Sequence, residues 1–336
     1  RLDGVTGVQT CALPILFTIC TIGGGTAMPI VNKSLVKSGF EHINSIVTTF
    51  DSGGDTGRIR TDERGQVLAF SDYWRSLISL WDDGNQREIW EEMLRYRDGR
   101  GRNFGNIFFQ FLSEKKGNLG EVDELFSRLT GARLKGKVVP VTLEVANVCQ
   151  KTISGKEYKG ENFVDELRMS DDRIKKIWLE PKVKANKKAI EALDKAEVII
   201  IGPGTTYGSV LPNFLPQGMV EAYKQTTAKK IFIVNIFSPA NEVKRPSQLA
   251  YKKIFSRYLK TDSPFDMMVM ADLTVLDEKK LKLAMKYYKL EHARLVKYEK
   301  TTDDVVVADI AVIEEKNVRL RHSEEKLGKF FEELKI

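Results

Sequence analysis

The chain has 336 residues, 42% hydrophobic and 29% charged, which is enough to bury one large core or two modest ones. Its formal charge of +7 is spread as 53 Lys and Arg among 46 Asp and Glu, with no basic block or aromatic-studded stripe, so nucleic acid is not the expected partner and a phosphorylated small molecule fits better. Three cysteines, Cys11, Cys20 and Cys149, are too few and too far apart for a disulfide framework or a metal cluster, and no apolar run is long enough to span a bilayer; a cytoplasmic protein without membrane contact is expected.

Residues 1–15 are read apart from the rest. "VTGVQTCALPI" (5–15) resembles one reading frame of a sequencing-library adapter, and cleavage of a secretory signal after the apolar stretch would cut into a glycine loop. This segment is therefore treated as an adapter-derived scar, and 16–336 as a single α/β domain. "LFTICTI" (16–22) is a buried strand, "AMPIVNKSLVKSG" (27–39) a helix closed by Gly39, and "INSIVTTF" (43–50) a second strand. Together they form a βαβ unit with a right-handed crossover. Residues 67–130 read as a helical insertion ("DYWRSLISLW", "QREIWEEMLRY", "NIFFQFLSEK"), and 132–170 as a polar stretch of hairpin character. Strands return at 176–180, 196–202, 230–236 and 265–271, with helices at 186–195, 209–227 and 246–260. In the last helix, 323–334, Leu327, Phe330, Phe331 and Leu334 recur at core-packing spacing. The expected architecture is a Rossmann-like three-layer fold, a mainly parallel doubly wound sheet with a helical insertion.

Three loops follow strands of this sheet. Gly23, Gly24, Gly25 and Thr26 let backbone N–H groups approach an anion at a helix N-terminus, although a glycine turn there is also ordinary packing. Met28 stands where the third glycine of G-x-G-x-x-G belongs, which argues against a dinucleotide site. The second loop carries Asp51, Gly53, Gly54, Thr56 and Gly57 ahead of Arg58 and Arg60, a combination suited to phosphate oxygens or sugar hydroxyls, with Asp51 a candidate magnesium ligand. The third, "IGPGTTYGSVLPN", offers Gly202, Gly204, Thr205, Tyr207 and Asn213. Loops at the carboxyl ends of parallel strands share one edge, so Gly24, Asp51 and Gly204 are expected in one crevice. Tyr207 either stacks on a base or covers the helix start. Asn213 and Asn235 either reach a ligand or cap backbone. Asn103, Gly105 and Asn106 either approach the ligand or form a helix entry capped by Asn103. The three histidines form no triad or metal site, and His322 is left with a minor functional option.

The order and spacing of "GGGTAMP", "IVTTFDSGGDTGRIR", "NFGNIFF", "GKVVPVTLE", "IGPGTTYGSVLPN", "VNIFSPANE" and "RLRHSEEKL" resemble the gluconeogenesis factor family of bacterial UDP-sugar-binding proteins (YvcK-like), relatives of 2-phospho-L-lactate transferase (CofD-like). The resemblance implies a nucleotide or nucleotide sugar held with the glycine loops and Asp51 around its phosphates and the Tyr207 loop near the base. The family includes a transferase that moves a phospholactyl group from a guanylyl-activated donor, and regulators of carbon metabolism and cell shape. Two departures stand out: Ser52 replaces the second of two paired acids, and "LAFSDYWRSL" keeps Asp72 while Trp74 and Arg75 replace an Arg-Asn pair. Asp72 is a candidate catalytic residue with Asp51 or else a helix N-cap, and Arg75 either reaches the site or lies exposed.

The leading expectation is a UDP-sugar-sensing regulator that needs no cofactor to bind, with a homo-oligomer left open. The alternative is a magnesium-dependent transferase of a nucleotide-activated phosphate ester, which the loss of a carboxylate at Ser52 weakens. Arg58→Ala is expected to weaken nucleotide binding at a nearly unchanged melting temperature; equal affinity in calorimetry would remove Arg58 from the site.

Overall fold

Apolar runs such as VIII (198–201) and MMVM (267–270) make strands that are covered on both faces, and seven strands form one parallel sheet. The computed structural model describes residues 17–53, 55–57, 68–82, 84–166, 170, 172–315 and 318–334. The strands are β1 Ile19–Gly23, β2 Ile43–Val47, β3 Gly136–Pro140, β4 Val198–Ile201, β5 Lys229–Ile233, β6 Met267–Ala271 and β7 Val305–Ala308. Their order is β3-β2-β1-β4-β5-β6-β7, and every neighbouring pair is parallel. Ile19 of β1 stands beside Ile43 of β2 on one side and Val198 of β4 on the other, which fixes the register at the centre.

Successive residues of each strand face opposite layers. Ile19, Ile43, Val198, Ile200, Ile231 and Val269 join the helices Met28–Lys37, Ser71–Ser79, Phe104–Lys116, Val122–Thr130 and Glu324–Glu333 in one core. Cys20, Ile22, Ile46, Ile199, Phe232 and Met268 face Lys187–Asp194, Met219–Gln225 and Gln248–Leu259 in the other. The chain therefore winds onto one face after β1 and β2 and onto the opposite face after β3, β4 and β5. This is the expected Rossmann-like, doubly wound three-layer architecture, and the order reverses between β1 and β4, where such sheets leave a crevice. Among the described residues no helix is long and apolar enough to cross a membrane. Cys20 and Cys149 are buried free thiols, and Cys11 lies outside the described residues.

Several elements differ from the sequence reading. Ile174–Glu180 is not part of the central sheet; it pairs antiparallel with Asn147–Thr152, which also pairs with Glu157–Lys159. From Lys176 onward its burial alternates, which marks a strand covered on one face. Within the stretch read as hairpin, Gly136–Pro140 leaves to become the edge strand β3. The helix expected over 209–227 is broken by Pro212 and Pro216, neither of which can donate to a helix interior, into a π-helical turn Thr206–Val210, a tight turn Leu211–Phe214 and a short helix Met219–Gln225. The C-terminal helix buries Leu327, Phe330 and Phe331 in the first core, as its spacing implies.

One polar cluster pins the centre of the first core. Thr21 Oγ1 donates to Asn32 Oδ1 at 2.9 Å, and Asn32 Nδ2 donates to Ser45 Oγ and Ser79 Oγ at 3.1 Å each, so one amide joins β1, β2 and two helices with no solvent access. Asn32→Ala is expected to cost about 1–3 kcal/mol by leaving buried hydroxyls unpaired. Urea unfolding measures this, and a loss below about 0.5 kcal/mol would mean that the hydroxyls re-pair among themselves.

Candidate functional site

The loops after β1, β2 and β4 meet at the carboxyl edge of the sheet and enclose a cavity of about 430 Å³. Gly24, Gly25, Thr26, Asp51, Gly53, Gly204 and Thr205 all line it, joined by Asp72 and Arg75 from the helix Ser71–Ser79. The expected single crevice is thus present.

Its central contact involves the first glycine loop. The N–H of Gly25 donates to Asp72 Oδ1 at 2.9 Å, so the anion at the start of the helix Met28–Lys37 is a carboxylate of the protein itself. Gly25 takes a φ of 68°, a left-handed conformation that glycine accepts without strain. A Cβ on Gly24 would collide with the same carboxylate and with Thr48 Cγ2. Asp72 is therefore not an N-cap: Phe70 occupies that position and Asp72 sits in the first turn with its side chain turned to the glycine loop.

Asp51 is brought beside it by two hydrogen bonds, its Oδ1 accepting from Gly53 N–H at 2.9 Å and its Oδ2 from the Ser71 hydroxyl. Burial first, and the Asp51 charge second, push Asp72 up to about 6, against the opposing pull of Arg75 and the Gly25 N–H. Arg75 lies 3.6 Å from Asp72 Oδ1 and over the Trp74 ring, and is three-quarters covered while lining the cavity.

The far wall was not legible in the sequence. Ser52 Oγ donates to Asn162 Oδ1 at 2.9 Å and accepts from Asn162 N–H at 3.1 Å, which fastens the short helix Asn162–Glu166 across the crevice. Glu161 and Glu166 thereby line the cavity, Glu161 with its carboxylate against Gly208. Where a carboxylate is missing at position 52, two others arrive from residues more than a hundred positions away. Among the described residues, however, no three His, Cys, Asp or Glu side chains gather closely enough to hold a metal ion.

A second chamber of about 280 Å³ adjoins the first across Thr26, Ala27, Gly204 and Thr205. Phe237 and Tyr288 stack at 3.8 Å between centroids on its wall, with Arg321 and His322 beside them. Burial pushes the His322 imidazole down to about 4, so it is neutral near pH 7, and its Nε2 has no partner among the described residues. Asn235 also lines this chamber, but its amide is spent on the third loop: Oδ1 accepts from Gly204 N–H at 2.9 Å and Nδ2 donates to Gly204 O at 2.7 Å.

The remaining expected site residues support rather than line the cavities. Tyr207 is 3% exposed and packs edge-on against Tyr258 in the second core, so it neither stacks in the crevice nor covers its rim. Asn213 is fully buried and its Nδ2 reaches Gly23 O, Ser209 O and Val210 O, which ties the third loop to the first. Asn103 caps the helix Phe104–Lys116 by accepting from Asn106 N–H. The Asn103 N–H and the Asn106 side chain both donate to Asp55 Oδ2, and Asn106 Nδ2 also reaches Thr56 Oγ1. Gly105 allows close packing against Trp74, and Gly23 and Gly202 face Met28. Gly54 and Arg58 lie outside the described residues.

A family model described as 2-phospho-L-lactate transferase CofD matches residues 19–318. An Aquifex aeolicus relative is 34% identical over 232 residues, covering 67% of this chain and 69% of that one. A gluconeogenesis factor of Listeria innocua is 30% identical over 247 residues, covering 72% and 73%. A crystal structure of a Bacillus halodurans protein superposes with a TM-score of 0.81 at 24% identity, covering 94% of this chain and 98% of that chain, a likeness of fold.

A carboxyl group whose folded-state pKa is raised contributes stability that is complete below its unfolded value, near 4, and is lost as the pH rises through about 6. Asp72→Asn keeps an acceptor for Gly25 N–H and removes the buried charge. It is expected to raise stability at about pH 8 by on the order of 1–3 kcal/mol and to change little at about pH 4. Urea unfolding at both pH values checks this; equal gains at the two would disconnect the effect from the charge.

Proposed function

The chain belongs to the 2-phospho-L-lactate transferase CofD family, and from that premise we propose that it binds a nucleotide sugar of the UDP-N-acetylglucosamine type and acts in the cytoplasm as a regulator of carbon metabolism and cell-envelope shape. The observation that carries this reading is the pair of unlike chambers joined over Thr26, Ala27, Gly204 and Thr205. A ligand with an aromatic end, a hydroxyl-rich end and a charged link between them matches that sequence of surfaces. Carboxylates of Asp51, Glu161 and Glu166 are natural acceptors for sugar hydroxyls. Phe237, Tyr288 and a neutral His322 suit a base. A pyrophosphate between them meets the start of the helix Met28–Lys37, with Arg75 in one chamber and Arg321 in the other.

The acidic chamber bears on magnesium too. A phosphate entering beside Asp51, Asp72, Glu161 and Glu166 is repelled unless a cation accompanies it or it stays at the junction. Any magnesium ion would rest on one or two of these carboxylates, with phosphate and water completing its shell, the usual manner for this ion. The alternative of a magnesium-dependent transferase is favoured by the neighbouring acids Asp51 and Asp72, where burial and the Asp51 charge raise the Asp72 carboxyl into the range useful for proton transfer. Ser52 adds nothing to that pair, because its hydroxyl is spent on Asn162.

Calorimetry with UDP-N-acetylglucosamine, GTP and NAD, with and without magnesium, separates the readings. The expected result is that the UDP-sugar binds most tightly and without magnesium, that no product forms, and that Arg75→Ala weakens binding roughly tenfold through loss of a charge-assisted contact. Binding that requires magnesium, followed by turnover of a phosphate ester, would replace the regulator with the transferase. Failure of all three ligands to bind would overturn the site.

A further inference from the structure

The positive charge that looks scattered along the chain is gathered by the fold. A cavity of about 830 Å³ lies against the strand pair Phe237–Pro239 and Ala293–Leu295, and of its thirteen lining residues seven are Lys or Arg against the single acid Glu299. That is a formal +6 in one depression of a chain whose whole charge is +7. The helix Glu278–Leu290 supplies Lys282, Met285, Lys286 and Lys289 at the spacing of one helical face. Arg245 and Lys297 close the rim from two other segments.

Lys282 is paired with Glu278, but Arg245, Lys286, Lys289 and Lys297 have no described acidic partner and are exposed. Such a concentration of like charge repels itself, a strain that an anion relieves. The floor beneath the rim is apolar, made by Phe237, Pro246, Met285 and Leu295. The depression is of small-ligand size, and an apolar floor under a cationic rim fits a molecule with an organic body and several phosphates better than an inorganic ion alone.

We propose that this basic depression is a second binding site, separate from the crevice at β1 and β4, for an organic polyphosphate. It adjoins the second chamber: Phe237 and Ala293 line both cavities, and Phe237 stacks on Tyr288 of the second chamber. The site does not depend on what the crevice binds.

The test is a fluorescence titration of the full chain with trinitrophenyl-ATP, with inorganic tripolyphosphate as competitor. Lys286→Glu/Lys289→Glu is expected to weaken one saturable binding component by roughly tenfold or more through reversed charge, at an unchanged melting temperature. Arg75→Ala, in the crevice, is expected to leave that component intact, and Arg245→Glu, from a different segment, to reproduce the loss. Superimposable curves for the parent and the charge-reversed variants would overturn the site. Displacement by tripolyphosphate as effective as by unlabelled ATP would overturn the organic part of the assignment. Tighter, variant-sensitive binding of a short RNA than of the probe would overturn the small-ligand reading as a whole.

Discussion

The hydrogen bond from Gly25 N–H to the buried carboxylate of Asp72 is the contact on which the crevice depends. It places a negative charge at a helix N-terminus, where the backbone favours one, and takes that charge out of water, where burial disfavours it. The glycine before it is bare because any side chain there would collide with the carboxylate. Through Ser71, the start of the helix that carries Asp72 draws Asp51 alongside. The loop after β1, the loop after β2 and the helix Ser71–Ser79 are thereby locked into one arrangement, and the resulting pair of acids is electrostatically costly. That cost is characteristic of a place kept for function rather than for stability.

The three loops and the sheet that presents them were legible in the sequence because their signals are local: a β-branched run, then glycines, then a helical period. What the sequence hid is non-local or contradicts a local signal. Val305–Ala308 and Gly136–Pro140 are short strands at the two edges, one following Asp303 and Asp304 and the other a polar stretch, so their apolar runs did not announce a central sheet. Ile174–Glu180 reads as a strand and is one, but membership in a sheet is decided by partners, which composition does not name. Tyr207 sits in the most suggestive loop and still turns into the core, because the π-helical turn Thr206–Val210 directs it away from the crevice. Tyr288, Arg321 and His322, in contrast, come to the second chamber from distant segments, and no glycine-rich loop marks them.

Ser52 shows why a missing residue type is a weak argument by itself. On the sequence its hydroxyl subtracts a carboxylate from the loop. In the fold it is a clasp that carries the Asn162–Glu166 segment to the crevice, and the acidic character of the chamber is kept by Glu161 and Glu166. A feature with the same chemical sign can thus be supplied from another part of the chain, provided that some contact holds that part in position.

That clasp has a consequence for how the protein can change over time. Among the contacts that join the segment carrying Glu161 and Glu166 to the rest are Ser52, the amide of Asn241 reaching Val164 O at 2.8 Å, and the buried side chain of Val164, while Glu161 and Glu166 take no share in either large core. Such a panel is modular: its charges can be exchanged without disturbing the strands that bear the scaffold, so ligand preference in descendants of this chain can drift independently of foldedness.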